Sequence, residues 1–266
     1  MDEEVRPISK PDAMVIDDIA FQPDLERLQK KLHVKKSSAY VEGLKRLVQE
    51  AQAIARPRAV YRVAYVDSRS DGSVVIDGIT FNSRVLRVNL ENAHRVFPFV
   101  ATCGTELYEW MNRQDDILLR YFADTIGEMA LRTASAALKK HLIERYRLGR
   151  TATMSPGSLP DWPLQAQQPL FALLGDTEEA IGVRLTDSLW MIPSKSVSGM
   201  RFPIEQTFES CQLCPRERCP SRIAPYDEEL YDKRYRCQEF YITEFTPVMG
   251  VHTGPGAIGL AFCARQ

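Results

Sequence analysis

Residues 60–81 read Val-Tyr-Arg-Val-Ala-Tyr-Val-Asp-Ser-Arg-Ser-Asp-Gly-Ser-Val-Val-Ile-Asp-Gly-Ile-Thr-Phe. Val60–Val66 is rich in β-branched and aromatic residues, and Asp71-Gly72 and Asp77-Gly78 bracket Val74–Ile76. Asp-Gly supplies the positive φ that tight hairpin turns need, so the stretch predicts antiparallel strands joined by short turns. Ile79–Phe81, Val85–Val88 and Val96–Thr102 extend the expected meander. A doubly wound sheet would need a crossover helix between successive strands. Hairpins here point instead to the α+β class.

Working outward, Leu25, Leu28 and Leu32 share one helical face. Tyr40, Leu44, Leu47 and Ala51 carry the periodicity on after Ser37–Ser38, and Arg56-Pro57 ends it. Glu106–Arg120 and Tyr121–Arg147 read as two further helices, with Gly149 as terminator. A loop rich in Ser, Pro and Gly covers Met154–Pro163. Leu164–Leu174 reads as a helix kinked or shortened by Pro169 and stopped by Gly175, and Asp176 and Glu179 have capping-box spacing for another. Short strands are expected at Val183–Leu185, Leu189–Ile192 and Ser196–Phe202. The chain thus divides into a tail over 1–22, a main domain over 23–205, a Cys-rich segment over 206–240 and a Gly-rich β tail over 241–266.

The 266 residues are 44% hydrophobic and 26% charged, an ordinary globular composition. A net charge of −1 gives no general attraction to nucleic acid or anionic membrane, and no segment interleaves basic with aromatic residues. The acidic, proline-bearing start lacks the basic and apolar regions of a signal peptide. No apolar run approaches the roughly 20 residues of a membrane helix. The expectation is a cytoplasmic protein with no nucleic-acid or membrane partner.

Six cysteines in a reducing compartment favour metal or redox use over disulfides. Cys211 and Cys214 form C-x2-C, Cys219 follows, and Cys237 lies further on. Cys214 and Cys219 each precede a proline. Four thiolates suit a 4Fe–4S cluster or tetrahedral zinc, and spacing alone leaves both open. Cys103 and Cys263 stand apart and are expected as small buried residues. His33, His94 and His141 have no partner motif, and Trp162 and Trp190 are expected in the core.

Three stretches resemble the activation domain of cobalamin-dependent methionine synthase and its stand-alone relatives in anaerobes. They are Phe97-Pro-Phe-Val-Ala-Thr-Cys-Gly104 with Glu106-Leu107-Tyr108-Glu109-Trp110, then Ser155-Pro156-Gly157 with Asp161-Trp162-Pro163-Leu164. The third and longest is Leu185-Thr-Asp-Ser-Leu-Trp-Met-Ile-Pro-Ser-Lys-Ser-Val-Ser-Gly199. The resemblance implies a curved α+β domain on a twisted antiparallel sheet. It also implies S-adenosylmethionine as methyl donor to an oxidised corrinoid, with one electron supplied. Glu128, which follows Ala123-Asp124, matches the family's carboxylate near that ligand, and Pro156-Gly157 matches its Pro-Gly turn. Ser155, Ser196 and Ser198 join the candidate cofactor-binding residues. The family pattern has Arg four residues before the turn glycine and Tyr just after it, where this chain has Thr153 and Ser158. No D-x-H-x-x-G corrinoid motif occurs, so cobalamin is expected only on a partner, a corrinoid protein or a methionine synthase core. The Cys-rich segment ending in Arg222 and Pro225-Tyr226-Asp227 is similar to one in the anaerobe relatives.

Val251–Gly259 resembles the closing segment of DegV-type fatty-acid-binding proteins. There His252, Gly254 and Gly256 make a possible anion site, against the plainer reading of a tight turn between strands. The functional expectation is an accessory protein of corrinoid-dependent methyl transfer, not a complete methyltransferase. The alternative is a non-catalytic ligand-binding or scaffold protein with structural zinc, and a lipid carrier is a third.

Overall fold

The structure, a computed structural model, describes residues 13–34, 40–204, 210–216, 222 and 224–235. Its strands are β1 (Met14–Ile16), β2 (Arg58–Tyr61), β3 (Ala64–Ser70), β4 (Ser73–Ile76), β5 (Ile79–Asn82), β6 (Arg95–Thr102), β7 (Thr151–Met154), β8 (Arg184–Leu185), β9 (Met191–Ile192) and β10 (Ser196–Pro203). Its helices are α1 (Leu25–Lys31), α2 (Val41–Ile54), α3 (Arg84–Asn89), α4 (Thr105–Asn112), α5 (Ile117–Tyr146), α6 (Gln167–Leu174), α7 (Thr177–Ile181) and α8 (Glu228–Tyr235). The segments 1–12, Ser37–Ser38, Cys219, Cys237, Cys263, His252, Gly254 and Gly256 lie outside the described residues.

Every strand pairing is antiparallel, and β6 is the axis of the main sheet. One edge of β6 carries β2 and β3, and the other carries β10, with β7 beyond it. The meander β3–β4–β5 turns at Asp71-Gly72 and Asp77-Gly78 as the sequence indicates. The expected strand over Val60–Val66 is split in two. Arg58↔Thr102, Tyr61↔Phe99 and Ala64↔Val96 keep one register, so the ladder breaks at Arg62-Val63 without slipping. Arg62 lies opposite Pro98 and donates its N–H to the Pro98 carbonyl at 3.0 Å, but proline has no N–H to return.

Three further expectations are corrected. Val85–Val88 is helix α3, not strand. Ser83 caps it, its Oγ accepting from Leu86 N at 2.9 Å, and Asp161 Oδ2 accepts from Ser83 Oγ at 2.6 Å and from Val85 N at 2.8 Å. Those side-chain acceptors outweigh a local β preference. The break between the two long helices falls at residues 113–116, where Asp116 Oδ1 accepts from Leu118 N and Leu119 N, and not at Arg120-Tyr121. Strand β1 lies inside the segment expected as a tail, because Met14–Ile16 pair along β2.

The sheet lies between two helical layers. Helix α5 packs on Ala59, Tyr61, Phe97, Phe99 and Ala101 through Ala134, Leu138 and Leu142. Helices α1, α2 and α4 cover α5 in turn through Leu28, Leu44, Leu47 and Leu107. Gly127 makes room for this stack, since a Cβ there would fall 2.2 Å from Met111 Sδ. On the opposite face, Val60, Val100, Met154, Met200 and Phe202 pack with residues of α3, α6 and α7. At the far end of α5, Tyr61 shares hydrogen bonds with His141 Nε2 at 2.9 Å and Tyr146 at 3.3 Å, tying helix to sheet. Burial pushes the His141 pKa down, with Arg145 adding to the shift, so the ring stays neutral in this contact.

Where β6 passes into α4, Gly104 has φ +92°, and a Cβ would sit 2.3 Å from the Arg56 carbonyl oxygen. Backbone blocks that space, so no side-chain shift relieves it. Gly104→Ala is expected to destabilise the fold by about 3 kcal/mol or more. Urea denaturation of the variant checks this, and an unchanged midpoint would contradict it.

Candidate functional site

Strand alternation separates two faces of β10. Ser196, Ser198, Met200 and Phe202 point to the α6 side, while Lys195, Val197, Gly199 and Arg201 point to the α5 side. Register continues the α5-side face onto β7, where Arg201 lies opposite Thr153 and next to Thr151, and onto the following Ser155. Helix α5 packs over β2 and β6. Val197, Arg201, Thr151, Thr153 and Ser155 are accordingly half-buried, whereas Ala152, Met154, Met200 and Phe202 on the other face are buried. The result is a polar strip beside α5.

The strip has defined ends. At one, Lys195 Nζ donates to Asp124 Oδ2 at 2.8 Å. At the other, Arg201 Nη1 donates to Thr151 Oγ1 at 3.0 Å. Between them Gly199 brings the strands into close approach, for a Cβ there would meet Met154 O at 2.6 Å and Ser155 Oγ at 2.9 Å. Glu128, four residues beyond Asp124, shares its side of α5. Its carboxylate is held by Lys31 of α1 at 2.5 Å and Arg132 at 2.8 Å. Burial acts to raise its pKa, but hydrogen bonds from Lys31 and Arg132 outweigh that and hold it below the usual carboxylate range.

The Pro-Gly turn is braced from behind. Pro156 is buried, and Gly157 is exposed with φ +78°. Gly157 N donates to Trp162 O at 2.7 Å, Trp162 N to Leu159 O at 3.1 Å, and Ser158 Oγ to Ser155 O at 2.5 Å. Trp162 is buried in the core, and Asp161 ties the loop to α3. Trp190, by contrast, is 68% exposed at the β8–β9 hairpin, which corrects its expected core position.

The structure does not gather all the candidate residues at one place. Ser155, Pro156 and Gly157 follow β7 at the strip. Ser196 and Ser198 lie on the opposite face of β10. Ser196 Oγ donates to Thr102 Oγ1 at 2.9 Å, and the Ser198 hydroxyl is buried beside the Val100 register position. The sequence carried the signal that separates them, because the serines are in phase with Met200 and Phe202. Reading that phase singles out Lys195 and Arg201, which the motif alone does not.

Cys211 and Cys214 sit on a 3-10 turn over Ser210–Leu213. Cys214 N donates to Cys211 O at 3.3 Å, and both residues are half-buried. The Arg222 guanidinium donates to the carbonyls of Cys211 (3.0 Å), Cys214 (3.0 Å), Ala224 (3.2 Å) and Arg216, gathering the turn around one cation. Leu213 and Tyr231 fasten the segment to the core cluster that also holds Leu159 and Trp162 behind the Pro-Gly turn. Among the described residues no three His, Cys, Asp or Glu side chains converge as a metal site. Cys103 is buried, and burial pushes its thiol up to about 12, so it stays protonated. Among the described residues no helix is long and apolar enough to cross a membrane.

Residues 131–210, from within α5 through β10 to the cysteine turn, match the family described as vitamin B12 dependent methionine synthase, activation domain. Among solved structures, a crystal structure of the MetH reactivation domain bound to AdoHcy is similar at 14% identity and a TM-score of 0.51, over 76% of this chain and 82% of that one. No curated protein matches the chain. In its α+β fold, and in the sequence of residues 131–210, this chain resembles the activation domain of vitamin B12-dependent methionine synthase.

Proposed function

We propose that this protein is an accessory protein of corrinoid-dependent methyl transfer that acts in the cytoplasm on a corrinoid carried by a partner protein. The observation that carries the proposal is the polar strip between α5 and β7–β10, next to the braced Pro-Gly turn and within the stretch that matches the activation-domain family. The MetH reactivation domain of similar fold binds AdoHcy. S-adenosylmethionine has a zwitterionic amino-acid end and a sulfonium. The strip suits such a ligand, with a guanidinium at Arg201, hydroxyls at Thr151 and Ser155, and carboxylates at Asp124 and Glu128 on α5. Exposed Gly157 lets a ligand approach the backbone.

The reaction supported is reductive methylation of the partner's corrinoid. One electron takes Co(II) to Co(I). Transfer of the sulfonium methyl group then gives methylcobalt(III) and S-adenosylhomocysteine, the S–CH3 electron pair remaining on sulfur. The protein's part is to hold the methyl donor and orient it.

Cys211, Cys214, Cys219 and Cys237 are proposed to hold a 4Fe–4S cluster, which when bound supplies one-electron chemistry. The described pair fits: two half-buried thiols on one turn, with their carbonyls gathered by Arg222, whose charge favours thiolates and an anionic cluster. Cys214-Pro215 rigidifies the exit from that turn. The turn packs on the same core cluster as the Pro-Gly loop, which favours a joint role.

Two measurements test this. Full-length protein purified anaerobically is expected to be brown, with about four iron and four sulfide per chain and a broad band near about 400 nm, lost in Cys211→Ser and Cys214→Ser. Stoichiometric zinc in colourless protein would favour the structural-zinc alternative, and absence of any metal would overturn the metal site. Calorimetric titration with S-adenosylhomocysteine is expected to show saturable binding to one site, and no heat at any concentration would contradict the methyl-donor role.

A further inference from the structure

We infer that the basic surface at the C-terminal end of α5 is an interaction surface, and that its occupant is the acidic N-terminal segment of this same chain, led by Asp2, Glu3 and Glu4. The inference is independent of the methyl-donor site.

Two elements build the surface. Residues 132–150 hold six lysines and arginines against one carboxylate, Glu144, in a chain of net charge −1. Glu144 is engaged by Lys140 at 3.9 Å. Lys139, Arg145 and Arg147 are exposed. Arg95, at the start of β6, brings a further guanidinium to the same place. It lies 5.1 Å from the centroid of the Tyr146 ring, and Arg145 lies 5.8 Å from that centroid. Among the described residues no salt bridge reaches Arg95, Arg145 or Arg147. The negative end of the helix dipole accounts for a cation in the last turn, which is Arg145. It does not account for Arg95, which comes from the sheet. Two guanidinium groups held against one ring without a carboxylate repel each other, and an anion bound beside both relieves that repulsion.

The acidic segment begins beside this surface. Tyr146 Oη donates to Met14 Sδ at 3.6 Å, so β1 is pinned to the ring that both guanidiniums share. Met14 pairs with Tyr61, Tyr61 with Phe99, and Tyr65 with Arg95. Followed backward, β1 therefore points along the sheet from the level of Phe99 toward that of Arg95. Residues 1–12, which lie outside the described residues, read Met-Asp-Glu-Glu-Val-Arg-Pro-Ile-Ser-Lys-Pro-Asp. Glu4 is ten residues before Met14. A tether of that length spans about 16–19 Å as a flexible chain and about 30 Å when extended, and either reaches past the Tyr146 ring. It makes the encounter intramolecular, at an effective concentration on the order of millimolar. Each exposed ion pair contributes little, so the contact depends on several carboxylates acting together and is screened by salt. Any other acidic ligand of this surface has to displace the segment, which makes the segment a competitor built into the chain.

The test uses full-length protein with nitrogen-15-labelled arginine, as wild type and as the variant Asp2→Asn, Glu3→Gln, Glu4→Gln. At low salt the Nε–H resonances of Arg95, Arg145 and Arg147 are expected to differ between the two proteins, and that of Arg58, which is paired with Glu106, is expected to stay in place. The difference is expected to vanish by about 0.5 M NaCl. A fluorescent peptide of residues 2–12 is expected to bind the variant about two- to tenfold more tightly than wild type, whose own segment competes. Adding Arg145→Gln and Arg147→Gln to the variant is expected to abolish that binding, with thermal melts reporting that each protein is folded. Arginine resonances that coincide at low salt overturn the inference and leave the surface to an acidic partner protein. A peptide that binds wild type and variant equally, or binds neither, overturns it as well.

Discussion

The pairing of β6 on both edges is the constraint from which the rest of this structure follows. It pairs with β2 and β3 on one side and, over Phe97–Thr102, with β10 on the other, and all of its residues but Arg95 are buried. Because β6 is committed on both edges, its alternation assigns each neighbouring residue to the α5 side or the α6 side. Phe97, Phe99 and Ala101 support α5, and Val96 and Val100 face the other core. A shift of β10 by one residue would exchange the two sets and bury Arg201 and Lys195. Gly199 resists such a shift, because the close approach of Met154 O and Ser155 Oγ leaves no room for another residue there.

The site follows from what α5 covers. Ala134, Leu138 and Leu142 seat the helix on the sheet, and Gly127 admits Met111 from α4. Packed on β2 and β6, the helix leaves the same face of β10 and β7 as a ledge. On a covered sheet, Thr151, Thr153 and Arg201 would carry a desolvation cost. On a ledge they are only half-buried, although the Thr153 hydroxyl itself is buried. Behind the ledge, the core that holds Trp162 and Leu159 also seats Leu213 of the cysteine turn. One packed cluster thus sets the positions of both the Pro-Gly turn and the first two thiols.

Most of the architecture was legible in the sequence, and the departures have local causes. The Asp-Gly turns, the cap at Asp176 and the stop at Gly175 act within a few residues, so they read directly. Val85–Val88 misled because its β-branched residues belong to a helix held by Asp161, 76 residues away from Val85 in the chain. The interruption at Arg62-Val63 came from Pro98 on the partner strand, which no local pattern reveals. At the site, the motif drew attention to Ser196 and Ser198, yet strand phase sets them with the core and turns Lys195 and Arg201 toward α5. Glu128 has a carboxylate already engaged by Lys31, a contact that joins residues far apart in sequence and that the motif does not reveal.

The central claim is that the methyl donor lies on the α5 side of β7 and β10. A crystal structure of the anaerobic full-length protein grown with S-adenosylhomocysteine tests it most directly. The account predicts ligand density beside Ser155 and Gly157, on the α5 side of the sheet. Density on the opposite face beside Ser196 and Ser198, or bound away from β7 and β10 altogether, would contradict it.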